Sequence, residues 1–251
     1  MAKVRESGVT GNDQEERNVE TLNKNEKYME WDDTTSHTHD FDRDVPYPGD
    51  KADKQRDFIN RTTNAQKLIK EIVENDDEWA FKNVWAPGAF MDGAQYGKFS
   101  RMSRKQQDAT RIFDKYLDRA ENKEGFIVRR LATAELLLGR GNRTPMSLEQ
   151  LQAMKGQVVT SKGSMSTSMA KHGLTIGSWK PMEYEIRIPG GSKGAGMWIG
   201  ERVINDWMGR QREFMTNRDS SFMVGDTRYD RSRGVYVTEL TWVGHEKHSY
   251  D

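Results

Sequence analysis

Three short stretches of this 251-residue chain carry charged and polar side chains whose types and spacing could do chemistry together. Arg129 lies in FIVRRL, Ser166, Thr167 and Ser168 follow one another, and Gln211 and Glu213 stand two apart in GRQREF. In an extended strand, residues two apart point to the same side, so Gln211 and Glu213 share a face and Arg212 takes the other. A guanidinium keeps its charge at any working pH and presents a fork of donors to phosphate. Hydroxyls donate and accept, and a fixed carboxylate stabilises positive charge where it develops. Each stretch alone also has an ordinary reading: a surface cation, a solvent-facing edge, and the wet side of a sheet.

Other chemistries fit less well. PGGSKGAG (189–196) matches neither GxxxxGK[ST] nor GxGxxG and reads as a glycine turn between strands. No GxSxG elbow is present, and there is no cysteine for a thiolate, a disulfide or a zinc finger. HTHDFDRD offers His37, His39 and Asp40 but no third ligand at finger or helical spacing, so it reads as a solvated acidic loop and no metal is expected.

The elements around these residues fall into two parts. Charge is balanced at 39 basic and 39 acidic residues, which argues for neither nucleic acid nor a membrane surface as partner. Residues 1–54 hold 14 acidic and 8 basic residues, a net of −6, with no apolar period. They are expected to form a flexible acidic arm (1–55) that orders against a carrier or virion protein. A catalytic domain is expected over 56–251, with a helical part at 56–122 and a sheet core at 123–245. Phe58, Ile59, Ala65, Leu68, Ile69, Ile72 and Val73 recur at helical spacing. Ser103 and Gln106 form a capping-box pattern before the stripe Ala109, Ile112, Phe113, Tyr116, Leu117 and Ala120. A short capped helix is expected at 147–154. Strands are expected at 125–133, 156–160, 164–169, 182–188, 196–199, 211–215, 221–225 and 234–243. Helices first and short strands after predict an α+β domain with mostly antiparallel sheets. No apolar run approaches a membrane span, and the N-terminus lacks the apolar core of a signal peptide.

Four segments in register resemble the mono-ADP-ribosyltransferases of the Arg-Ser-Glu class, in their clostridial exoenzyme-like branch. These are FIVRRL, MKGQVVTSKGSMSTSMA, YEIRIPGGSKGAGMWIG and GRQREFMTNRDSSFMV. The likeness covers roughly residues 100–245. It implies two packed, mostly antiparallel sheets with covering N-terminal helices. It implies cleavage of NAD between nicotinamide and ribose, with transfer of ADP-ribose to a protein side chain, and no metal.

The resemblance also implies roles. Glu213 would stabilise the oxocarbenium-like ribose and bond a ribose hydroxyl. Arg129 would hold the NAD phosphates, and Ser166 would bind the dinucleotide and orient Glu213, with Thr167 and Ser168 in support. Gln211 would meet the acceptor, a glutamine here going more often with amide or other uncharged acceptors than with arginine. The loop GERVINDWMGR would recognise the target, with Trp207 either gripping it or tucked under its own loop. Two positions depart from the pattern: Arg130 replaces the usual glycine and competes with Arg129 for the phosphates, and Ser164 replaces the usual aromatic. The implied setting is the cytoplasm of an attacked cell, reached from a phage virion or by injection, with a cellular protein as target. The rival readings are an NAD glycohydrolase and a virion protein with a decayed transferase fold.

Overall fold

The computed structural model describes residues 28–29, 57–84, 99–138, 145–169, 181–199 and 213–250. Among these, no helix is long and apolar enough to cross a membrane.

Helix α1 (57–62) and α2 (Ala65–Glu74) divide the first apolar stripe, which the spacing alone presents as one helix. The break has a local cause. Thr62 and Thr63 turn their hydroxyls back onto the Phe58 and Ile59 carbonyls at 2.6 and 2.8 Å, and Thr63 then pairs with Asn122. Helix α2 buries Ala65, Leu68, Ile69 and Ile72. Asp76 beyond it adopts φ 54°, and α3 (Glu78–Val84) follows. Helix α4 (Arg104–Leu117) starts at the full capping box of Ser103 and Gln106. Phe81 packs on Phe113 and Tyr116, with ring centroids 5.0 and 5.8 Å away. Two short helices, α5 (Glu135–Leu138) and α6 (Leu148–Gln152), lie between strands.

The strands are β1 (Glu121–Asn122), β2 (Phe126–Ala132), β3 (Val158–Ser161), β4 (Ser166–Ser168), β5 (Met182–Ile188), β6 (Ser192–Lys193), β7 (Gly196–Trp198), β8 (Glu213–Thr216), β9 (Ser220–Asp230) and β10 (Val235–His245). β1 and β6 form a small ribbon, and the other eight run in the order β3-β9-β10-β5-β2-β4-β8-β7. All neighbours in this ladder are antiparallel except β10 and β5. The ladder is continuous where two packed sheets were expected. Its two halves meet through one Cα pair, Arg129 with Ser168, so they remain distinct while sharing a seam. At the other end of β2, Met29 takes up the edge: its N–H donates to the Gly125 carbonyl at 2.8 Å and it accepts from the Ile127 N–H at 3.0 Å.

Along β2 and β5 the sheet turns a mostly apolar face to the helices and its charged residues to the other side. Phe126 and Val128 of β2 and Met182, Tyr184, Ile186 and Ile188 of β5 face the core beneath the helices. The alternate residues Arg129, Glu183, Glu185 and Arg187 occupy the other side. Gly196 (φ 147°) lets β7 close on β8, since a Cβ there would overlap the Met215 carbonyl.

After β8, the chain is tied back to α4. Arg218 Nε donates to both carboxylate oxygens of Asp114 at 2.9 and 2.8 Å, and Tyr250 Oη donates to the same group at 3.0 Å. Burial pushes the Asp114 carboxyl up, although Arg218 and His248 pull it down. Removing one member of such a pair strands the other charge in the interior. Arg218→Met is therefore expected to cost about 3–5 kcal/mol in urea unfolding, and adding Asp114→Leu should restore part of the loss. A single-variant cost below about 1 kcal/mol would show that the pair is replaceable by water.

Candidate active site

Strand register assembles the site. Glu185 on β5 lies opposite Arg129 on β2, Arg129 opposite Ser168 on β4, and Ser168 opposite Glu213 on β8. Directly paired residues point to the same side, so these four form one row across four strands. The row falls on the polar face, with apolar neighbours turned inward.

Glu213 is the unusual member. It is 1% exposed, and Ser166 Oγ, two residues along β4 from Ser168, donates a short hydrogen bond to its Oε1. Its Oε2 is buried and accepts from nothing among the described residues. Burial pushes its pKa up to about 8, against the opposing pull of the Ser166 hydrogen bond and the Arg130 charge. A buried acceptor without a donor is costly unless a ligand supplies one. A ligand hydroxyl or N–H could supply that donor.

Arg129 is 2% exposed, and its Nη2 donates to Glu185 Oε2 at 3.3 Å. The same Glu185 oxygen accepts from Arg228 Nη2 at 3.1 Å. Beyond it, Arg187 Nη1 meets Glu239 Oε2 at 2.8 Å, and Arg233 forks onto Glu183 at 2.8 and 3.0 Å. The polar face is thus a chain of ion pairs that ends at Arg129 and gives way to hydroxyls and Glu213. Arg130 leaves the row by alternation. Its Nη1 donates to the Ser166 backbone carbonyl at 2.7 Å, bracing the strand that carries Ser166.

Thr167 is buried on the opposite side from Ser166 and Ser168, and its hydroxyl donates to the Phe214 carbonyl. It fastens β4 to β8 and does not face the row. Arg129, Ser166, Ser168 and Glu213 are therefore brought together, and Thr167 supports them from behind. Gln211 and Trp207 lie outside the described residues, as do His37, His39 and Asp40. Glu185 escaped the sequence reading. Its signal was the charge alternation of MEYEIRI, where Glu183, Glu185 and Arg187 fall on one face at a spacing of two.

Known proteins agree with this architecture. The Clostridium limosum C3 exoenzyme superposes with a TM-score of 0.61 over 86% of this chain and 98% of its own, at 15% identity. Plx2a, an ADP-ribosyltransferase toxin from Paenibacillus larvae, gives 0.61 over 76% and 96%, at 14% identity. An ADP-ribosyltransferase from Clostridium botulinum gives 0.56 over 79% and 96%, at 13% identity. At such identities the likeness speaks for the fold. No curated protein matches the sequence significantly. The sequence itself matches the family model for the ADP-ribosyltransferase exoenzymes over residues 95–243, more than half of the chain and the whole of the row from Arg129 to Glu213. On that match the chain belongs to the ADP-ribosyltransferase exoenzyme family, NAD-dependent enzymes that transfer a single ADP-ribose to a protein side chain.

Proposed function

We propose that Glu213 is the catalytic carboxylate, that Arg129 holds the NAD diphosphate, and that the acceptor is an amide-type side chain of a protein in an attacked cell. The observation that carries this reading is the unpartnered Oε2 of Glu213, at the end of a row that also holds the Arg129 guanidinium. One structural relative, a C3 protein from S. aureus, was solved with NAD (TM-score 0.51, 15% identity, 71% of this chain and 94% of that one).

Breaking the bond between nicotinamide and ribose leaves positive charge on the sugar. Glu213 as a carboxylate stabilises that charge as it forms, and Oε2 accepts from a ribose hydroxyl. Nicotinamide departs as a neutral molecule, so no strong general acid is required. The ring of bound NAD is itself cationic, which favours loss of the Glu213 proton in the complex. Ser166 keeps Oε1 engaged so that Oε2 is the oxygen offered. The reading that casts Arg129 as anion anchor and Arg130 as strand brace is supported by Arg129 sharing the face of Glu213 while Arg130 donates to the Ser166 carbonyl. Gln211 precedes Glu213 by two residues, and its amide both donates and accepts, as an Asn or Gln acceptor requires. Trp207, four residues earlier, is assigned to grip the target protein. The place of action is the target-cell cytoplasm, reached by injection or from a virion.

Three outcomes test the assignments. Glu213→Gln should lower transfer by at least about 100-fold. In the folded, NAD-free protein the raised pKa means that the protonated side chain contributes stability fully below about pH 4.5, lost as pH rises through about 8. The variant should therefore melt at a higher temperature than the parent at pH 8.5 and show no such fall with pH. The parent's kcat/KM should instead rise through the same interval, because only the carboxylate is competent. A variant that loses activity but melts no higher would place the buried charge elsewhere.

Arg129→Lys should raise KM for NAD by at least about tenfold, since a bidentate anchor is lost. Arg130→Lys should change kcat more than KM, because it acts through the position of Ser166. The reverse pattern in steady-state kinetics would exchange the two roles. Gln211→Glu should abolish or redirect transfer to protein while NAD hydrolysis persists. Equal loss of both, read by mass spectrometry of modified protein and by nicotinamide release, would show that Gln211 holds NAD.

A further inference from the structure

The end of α4 and the C-terminal tail bring three residues together that the transfer reaction does not use. Asp118 caps α4, His245 ends β10 and His248 lies in the tail. One ligand atom from each falls within 4.8 Å of the others. We propose that Asp118, His245 and His248 form a binding site for a divalent transition metal of the zinc class, separate from the NAD site.

The surrounding hydrogen bonds support this more than proximity does. His248 Nδ1 is 3.1 Å from Asp219 Oδ2, and His245 Nδ1 is 3.1 Å from the Glu246 carbonyl. Both acceptors place a proton on Nδ1, which leaves Nε2 of each ring as the donor atom for a metal. The Asp118 carboxylate is oriented too, accepting from Asn217 Nδ2 at 2.7 Å. All three residues thus have an outer partner that fixes how they point, the pattern found around metal ligands. The two imidazoles are stacked, with centroids 5.6 Å apart and planes at 26°. Gly194 makes room: a Cβ on it would come within 2.5 Å of His245 Nε2.

Without metal, His248 Nε2 lies 2.9 Å from Asp118 Oδ1, so the ring is held as an imidazolium between two carboxylates. Burial lowers its pKa, but the hydrogen bonds to Asp118 and Asp219 outweigh that and raise it to about 9. A metal would take the place of the Nε2 proton, which leaves to solvent. Ligand atoms on a tetrahedral zinc lie roughly 3.3–3.6 Å apart, so closure needs only a modest turn of the half-exposed His245 and Asp118. The fourth position opens toward water on the Asp118 side, where that side chain is 41% exposed. The ion would clamp the tail to α4. Asn217 directly follows β8, whose first residue is Glu213, so clamp and catalytic carboxylate sit at opposite ends of one strand.

The test uses the full chain carrying His37→Ala and His39→Ala, stripped with a chelator and titrated with Zn2+ alone by calorimetry. One ion per chain with a dissociation constant below about 10 µM is expected, together with a higher melting temperature. His245→Ala and His245→Gln, judged folded by circular dichroism, should each weaken binding at least tenfold and leave NAD turnover unchanged. No saturable binding by 100-fold higher Zn2+, or binding that both His245 variants keep, would overturn the proposal.

Discussion

The pairing of Arg129 with Ser168 is the constraint on which the site depends. β2 runs beside β5 through seven paired positions, but β4 meets β2 at this one only. The two halves of the ladder are joined there, and each supplies half of the site: the guanidinium comes from one, and the hydroxyls and carboxylate from the other. Beyond the pair, the edge of β2 at Phe126 passes to Met29. A short β4 is therefore useful. Three residues suffice to carry Ser166 and Ser168 on one side and Thr167 on the other, and to bring Glu213 into line.

The opposite face explains how a polar row can be kept in the interior. Beneath it, Phe126 meets Phe214 and Phe58 edge-on, with centroids 5.2 and 6.2 Å away. Edge-to-face packing of this kind fixes strands β2 and β8 against the helices. On the polar side, each buried charge from β5 is matched: Glu183 by Arg233, and Glu185 by Arg129 and Arg228. Glu213 alone among the carboxylates of the row keeps a buried oxygen without a donor. Its desolvation is an unfavourable term that a ligand donor to Oε2 would relieve.

Much of this was legible in the sequence, and the reasons differ from residue to residue. β5 is legible at its observed bounds, 182–188, because MEYEIRI alternates strictly and each apolar residue packs inward. Helix α4 is legible from its capping box and stripe. Ser166 and Glu213 stand out through the flanking segments of the resemblance, since neither hydroxyl nor carboxylate is distinctive alone. What escaped depends on contacts between distant parts of the chain. The split between α1 and α2 follows from Thr63 pairing with Asn122, 59 positions away. The role of Arg130 required seeing the Ser166 carbonyl, and the cluster of Asp118, His245 and His248 spans 130 positions. A one-pair seam has no local signature, so the expectation of two sheets could not anticipate that they are continuous.

The helical layer does more than cover the sheet. Four residues after Glu213, Asn217 donates to Asp118, and Arg218 clasps Asp114, both on or just beyond α4. These bonds fix where β8 ends. In a strand, a slip of one residue moves every side chain to the other face. Such a slip would drive Glu213 toward the aromatic core and bring Phe214 into the polar row. The apolar pattern of β8 resists it only in part, because Phe214 and Met215 are both buried and sit on opposite faces. Charge-paired anchors at the end of the strand supply the register that hydrophobic alternation leaves underdetermined. Glu213 is thus placed by the bonds from Asn217 and Arg218 to α4 as much as by the sheet that carries it.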